Sequence, residues 1–420
     1  MSNFYRAVNG PNSRILYSKN PCAIFFQKEV YPMAKRQVNV ALIGYQFMGK
    51  AHSNAYRQVG RYFDLPVEPV MKVLVGRSEK KVKIAQEQFG WQEYATNWED
   101  VIARNDIDLI DIGTPNDTHA AISVAALKAG KHVLCEKPLA TNMPDAKKSY
   151  ETAKSTGLVN GICHNYRFAP AIAFIAQLVR EGRIGKVRHF RGTYLQDWII
   201  DPNVPLVWRL DKSIAGSGSH GDLNAHLIDT ARFVMGTEFA EVTGLAETFI
   251  KQRPLLADTE GGLAGFKASE QMGEVTVDDV TAFLARFENG ATGTFEATRL
   301  APGRKNYNRW EINGEKGSIA FNLERMNEFE IYVTDDPQGL QGFHTIQATE
   351  SFMPYMSAYW PVAHIIGYEH TFVNMVKDFL EAIGNNKPFT PDFLDGLKNQ
   401  AVLDAVDRSA ASRQWTKPEA

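Results

Sequence analysis

Cysteine is scarce: Cys22, Cys135 and Cys163 are all that 420 residues hold, and their spacing matches no metal motif. So sparse and odd a set argues against a disulfide scaffold and points to a reducing compartment, with the cytoplasm as the expected location. An excess of one charge is lacking too. Lys plus Arg number 46 against 48 Asp plus Glu, a formal net charge of −2. A nucleic-acid partner, which calls for a basic excess or stripe, is not expected. No run reaches the roughly 18 apolar residues of a membrane span. Acid is missing from the start of the chain, where Arg6, Arg14, Lys19 and Lys28 stand before or beside the first acid, Glu29. Such a start resembles an organellar targeting segment in charge. A tail, or a true start at Met33, accounts for it more simply, and residues 1–35 are read as an N-terminal extension.

What is present is a soluble globular balance, 44% hydrophobic and 22% charged, in a chain long enough for two domains. Residues 38–43 form a short apolar run ending at Gly44, as a buried parallel strand does. Further strands are expected at 70–75, 108–112, 132–135 and 159–163. Helices are expected between them at 47–59, 79–89, 117–128 and 142–155. Strands alternating with helices at this spacing predict βαβ units and a parallel sheet. From 187 onward polar and apolar residues alternate, and strands are expected at 187–196, 241–249, 279–288, 291–298, 310–313, 317–322 and 329–333. This is an open, mainly antiparallel sheet. Helices at 372–383 and 393–412 close the chain, and 253–273, rich in glycine and small residues, reads as a loop insertion. The fold class is therefore α/β: a Rossmann dinucleotide-binding domain over 36–160, and an α/β domain with a large open sheet over 161–420.

The first strand runs into Gly44-Tyr45-Gln46-Phe47-Met48-Gly49. A glycine turn opening a helix offers free N–H groups to a pyrophosphate, although Gln46 replaces the middle glycine of the usual fingerprint. At the end of the second strand an acid usually reads the ribose of NAD. Here Gly76-Arg77 stands instead, and Arg77 suits adenine stacking, a 2′-phosphate or plain solvent equally well. Thr114-Pro115-Asn116 follows the third main strand with His119 just beyond, at the carboxyl edge where ligands bind. Asn116 also suits a helix N-cap. Cys135-Glu136-Lys137-Pro138 ends the strand at 132–135 and places Lys137 in the crevice. A lysine there can bond a substrate hydroxyl and help remove its proton. Later, Asp222 and His226 share a helix face, with Asp229 on the same side. The imidazole suits a general base and the carboxylate an orienting or relaying partner. His220, Asp222 and His226 fit none of the strong zinc spacings, so no metal is expected.

The set GYQFMGKAHS, TPN, HVLCEKP, NYRF and GDLNAHLID resembles the Gfo/Idh/MocA oxidoreductases, the glucose–fructose oxidoreductase and inositol 2-dehydrogenase family, over about residues 37–415. The resemblance implies a Rossmann domain, a second domain whose open sheet often joins subunits, and NAD(P)-dependent oxidation or reduction of a sugar or cyclitol carbinol. It implies catalytic roles for Lys137, Asp222 and His226. It implies cofactor contacts from Gly44, Gln46, Phe47, Met48, Gly49, Gly76, Arg77, Thr114, Pro115, Asn116, His119, Glu136, Lys137, Asn165, Arg167, Trp208 and Arg209. The stretches 192–198, 205–210, 296–299 and 313–318 resemble, more narrowly, levoglucosan dehydrogenase-like glycoside 3-dehydrogenases. They suggest Tyr194, Gln196, Asp197 and Trp198 as a wall against the sugar, beside Lys137, Asp222 and His226. A strand with alternating faces cannot turn all four the same way.

The expected activity is dehydrogenation of a secondary hydroxyl in a sugar, anhydrosugar, glycoside or cyclitol, with NAD as cofactor and NADP not excluded. The expected assembly is a homodimer or homotetramer. The rival activities are an NAD-dependent redox glycoside hydrolase on the same scaffold and an inositol 2-dehydrogenase. A non-catalytic nucleotide sensor would have no need of the Lys137, Asp222 and His226 trio.

Overall fold

The computed structural model describes residues 13–17, 24–28, 35–257 and 268–420. The chain divides into two compact units, Met1–Arg36 and Gln37–Ala420. In the first, within the stretch read as an N-terminal extension, β1 (Ser13–Tyr17) and β2 (Ile24–Lys28) pair antiparallel. Cys22 and the start expected at Met33 lie outside the described residues.

The larger unit begins with β3 (Arg36–Ile43), β4 (Val67–Val75), β5 (Glu93–Ala95), β6 (Leu109–Ile112), β7 (His132–Glu136) and β8 (Asn160–Cys163). They form a six-stranded sheet in the order β5-β4-β3-β6-β7-β8, with parallel ladders. Side chains alternate across a strand, so β3 feeds two cores. Val40 and Leu42 pack with Ala55, Tyr56 and Val59 of helix Phe47–Tyr62 and with Phe372, Phe379 and Leu380 of helix Glu369–Asn385. Ala41 and Ile43 pack with helix His119–Lys128 and with Phe393 and Leu397 of helix Phe393–Ser412. The last two helices of the chain thus return to the first sheet, one on each face. Burial on both faces is why these strands read as continuous apolar runs. Strand order reverses between β3 and β6, which opens a crevice at their carboxyl ends.

The chain continues through β9 (Val187–Leu195), β10 (Phe239–Glu247), β11 (Gln252–Leu256), β12 (Ala268–Glu274), β13 (Val280–Phe287), β14 (Thr292–Thr298), β15 (Tyr307–Gly314), β16 (Gly317–Asn322), β17 (Glu328–Val333) and β18 (His344–Gln347). Eight of them form a sheet in the order β10-β13-β14-β9-β15-β16-β17-β18, antiparallel except where β14 pairs with β9. Its inner face carries Phe190, Phe283, Phe295 and Trp310, packed with the helices Pro170–Arg180 and Ala225–Met235. Phe283 and Phe295 stack at 4.5 Å. Its outer face shows Arg191, Thr193, Leu284, Glu296 and Arg309.

The expected loop at 253–273 instead holds the hairpin β11–β12. Arg253 explains its place: fully buried, it donates to the carbonyls of Ile199, Asp201 and Val204 and ties the hairpin to that loop. Also unexpected from sequence were β5, β18 and the helices Trp98–Ile102 and Pro170–Arg180.

Candidate active site

The turn after β3 is built for close approach. Gly44 has φ +114°, and a Cβ there would lie 2.4 Å from the Gly113 carbonyl oxygen. A Cβ on Gly49 would lie 2.1 Å from the Gly44 oxygen, so the helix start presses on the turn. Gln46 is the N-cap of helix Phe47–Tyr62 with φ −80°, a negative value that does not call for glycine, and its side chain makes no cap bond. The free amides of Phe47, Met48 and Gly49 at the start of a long helix suit an anionic pyrophosphate. Phe47 is half exposed beside them. At Gly76 the Tyr45 ring lies where a Cβ would be, so a larger residue would displace that ring, and Arg77 is exposed. These features fit a dinucleotide.

Thr114 and Pro115 lie in the next loop, half-buried. Asn116 is not the helix cap there: its amide donates to the Ala215 carbonyl at 2.9 Å and ties the loop to the second half of the chain. His119 sits between the carbonyls of Thr114 and Pro138, 2.9 and 2.7 Å away, and clips that loop to the one bearing Lys137.

Lys137 donates from Nζ to the Asp222 carbonyl at 2.8 Å and to Oδ1 of its carboxylate at 3.0 Å. Asp222 lies in a π-helical turn, His220–Asn224, ahead of helix Ala225–Met235, rather than in a continuous α-helix. Asp278 holds that turn, accepting from the amides of Gly218 and His220 and the hydroxyl of Ser219. His220 belongs to the framework: its ring faces the Leu403 carbonyl and the Asn224 amide, not a metal set with Asp222 and His226. Burial disfavours the Asp222 carboxylate, but Lys137, Arg299 and Arg209 outweigh it and hold the group below the usual carboxylate range.

His226 is buried, with the Tyr166 ring against it at 4.4 Å. Burial, then the charge of Lys137, push its pKa well below that of a free imidazole, so it is neutral. Its ring nitrogens make no hydrogen bond among the described residues. Asp222, read from sequence as an orienting or relaying partner of His226, has its two carboxylate oxygens flanked by Lys137 and Arg299.

Of the expected sugar wall, Tyr194 and Gln196 share one side and both bond Asn306 Oδ1, at 2.6 and 2.9 Å. The Tyr194 hydroxyl also meets that of Tyr166 at 2.8 Å. Asp197 instead pairs with Lys305 at 2.7 Å and accepts from Gly303. Trp198 lies under the Arg299 guanidinium at 5.6 Å. Arg209 stacks on Trp208 at 4.3 Å and adds its charge to that around Asp222. Asn165 donates to Thr371 at 2.8 Å. Arg167 is buried in a bonded ion cluster with Asp229 and Asp395. Asp229, read from sequence as sharing the Asp222 face, is that cluster's buried acid and needs the guanidinium as counter-charge.

The sequence reading missed Tyr166, Arg299 and Asn306, and behind the lysine it missed His52. The His52 ring stands between Asp111, 2.9 Å from Nδ1, and Glu136, 3.0 Å from Nε2. Tyr56 also donates to Asp111, at 2.8 Å. Burial lowers the His52 pKa, but Asp111 and then Glu136 outweigh it and raise it to about 10. Glu136 in turn accepts from the Lys137 amide at 3.1 Å. His52, Glu136 and Cys163 cluster closely enough for a metal, but both ring nitrogens already face carboxylates. The histidine inside GKAHS was the available signal.

Comparison with known proteins supplies the family. Residues 38–164 match the oxidoreductase family described by an NAD-binding Rossmann fold, and 172–320 match the GFO/IDH/MocA C-terminal domain. The chain is 42% identical to levoglucosan dehydrogenase of Pseudarthrobacter phenanthrenivorans, over 90% of this chain and 98% of that one. It is 27% identical to inositol 2-dehydrogenase of Rhizobium meliloti, over 74% and 81%. Among solved structures, an oxidoreductase domain protein from Kribbella flavida superposes with a TM-score of 0.87 at 46% identity, covering 92% of this chain and all (100%) of that one. Levoglucosan dehydrogenase in complex with NADH and levoglucosan superposes at 0.86 with 41% identity, over 92% and 100%. An NAD-binding Rossmann sheet, a mixed second sheet and these matches over most of its length make the chain a member of the Gfo/Idh/MocA oxidoreductase family.

Proposed function

We propose that this dehydrogenase oxidises one secondary hydroxyl of a pyranose-like sugar, anhydrosugar, glycoside or cyclitol to the ketone. The observation that carries the reading is the pairing of a pinned lysine with an unbonded, neutral histidine at the carboxyl edge of the first sheet. When bound there, a nicotinamide supplies the acceptor for the carbinol hydride. Lys137 Nζ, held by Asp222, donates to the carbinol oxygen and stabilises the negative charge that grows on it. A ring nitrogen of His226 takes the hydroxyl proton, and the Tyr166 ring fixes its plane. Tyr194, Gln196 and Asn306 form a bonded polar row for the other hydroxyls, and Trp198 an apolar face. NAD is the cofactor, and Arg77 is the residue to watch for NADP.

Residues 36–160 provide the cofactor half and 161–420 the substrate half in this reading. The outer face of the large sheet, with a depression of about 650 Å³, is the surface for a homodimer or homotetramer. Buried free thiols at Cys135 and Cys163 accord with a cytoplasmic protein. No described helix is long and apolar enough to cross a membrane.

Absorbance of NADH tests the activity, with NAD⁺ and NADP⁺ each offered levoglucosan, myo-inositol, glucose, xylose and simple glucosides. One sugar and one cofactor should give a rise. Lys137→Met and His226→Ala should each lower kcat by about 10²–10⁴-fold while NADH binding persists. Near-normal rates in both variants would overturn the assignment.

A further inference from the structure

Arg299 follows directly on β14 and is 1% exposed. Its Nη1 stands 3.6 Å from Asp222 Oδ2, on the carboxylate oxygen that Lys137 does not bond. Its Nε and Nη2 are buried and have no hydrogen-bond partner among the described residues. Unmet donors on a buried guanidinium oppose folding. Packing alone would be better served by an apolar side chain of similar volume. The residue is therefore held at a cost to the fold, beside the one carboxylate that Lys137, Arg299 and Arg209 all stabilise.

We propose that Arg299 is a positioning residue: it clamps the second oxygen of Asp222, keeps that group anionic, and so keeps Lys137 aimed at the carbinol oxygen. The proposal rests on the dehydrogenase reading above. It extends the working unit from three residues to four, with Arg299 acting through Asp222 rather than on the substrate. No proton or hydride passes through it. A nearby cation favours the anion, so removing it raises the pH at which Asp222 takes up a proton.

The test compares wild type with Arg299→Met, Arg299→Lys, Asp222→Asn and the double variant Arg299→Met/Asp222→Asn. Arg299→Met should lower kcat by about ten- to a hundredfold, as a small misplacement of a reacting group does. The KM for NAD⁺ should hold, the acid limb of the kcat profile should move to higher pH, and Arg299→Lys should recover part of the rate. The double variant should be no slower than Asp222→Asn alone. Urea midpoints of the same set give a readout free of turnover. Asp222→Asn leaves Arg299 uncompensated, so the two substitutions should be non-additive in stability. If wild type oxidises no sugar, the dehydrogenase reading fails, and the urea cycle alone still judges the clamp. Additive midpoints, or Arg299→Met with wild-type kcat and an unmoved acid limb, would overturn the proposal.

Discussion

At His226 burial and the charge of Lys137 both disfavour the imidazolium, which suits the base role proposed for it. At His52 the balance is reversed, because two buried carboxylates face one ring. The folded protein holds His52 protonated, with a pKa of about 10 against 6.5 for the free group. Its contribution to stability is therefore complete below pH 6.5 and is lost as the pH climbs through about 10. Removing it strands two buried acids, and breaking a buried ion pair costs about 3–5 kcal/mol. His52→Gln should thus lower the urea midpoint at pH 6 and show a flatter decline between pH 6.5 and 10 than wild type. Equal slopes would show that His52 is not the titrating group. Lys137, His226 and Asp222 could be singled out in the sequence because Lys137 ends a strand motif and the other two stand four apart. Arg299 and His52 could not, because an arginine past a strand and a histidine in a helix look ordinary until their partners are known.

Among the elements, the π-helical turn His220–Asn224 carries Asp222 to Lys137, the pair on which the proposed chemistry rests. Periodicity alone reads that stretch as α-helix. The extra residue per turn is held by Asp278, 58 to 60 residues away, which binds Gly218, Ser219 and His220 together. Asp278→Ala should cost about 1–3 kcal/mol for the donors left unmet. It should also lower kcat while leaving NADH affinity intact. A loss of NADH affinity without loss of kcat would place the residue elsewhere in the mechanism. The hairpin β11–β12 escaped sequence reading for a related reason. Its strands lack clean alternation, and the buried Arg253 that anchors it takes its acceptors from residues 199–204.

For the molecule as a whole, the outer face of the large sheet is the feature without a partner. Leu245 and Leu284 are about half exposed on it, at 53% and 49%, among Arg191, Arg309, Glu296 and Glu311. The proposed homo-oligomer would use this face, and an isologous contact would place the same patch on both chains. Leu245→Asp with Leu284→Asp should reduce the light-scattering mass to that of one chain, while kcat per chain is retained. An unchanged mass would move the interface elsewhere. The sequence by itself determined the layered α/β plan and the crevice loops, because apolar runs, alternation and glycine turns are local properties of the chain. Only the tertiary structure decided which charges meet. Lys137 finds Asp222 across 85 residues of sequence, and the closing helices cover a sheet laid down at the other end of the chain. Such pairings depend on which surfaces exclude water together, and no local pattern records that.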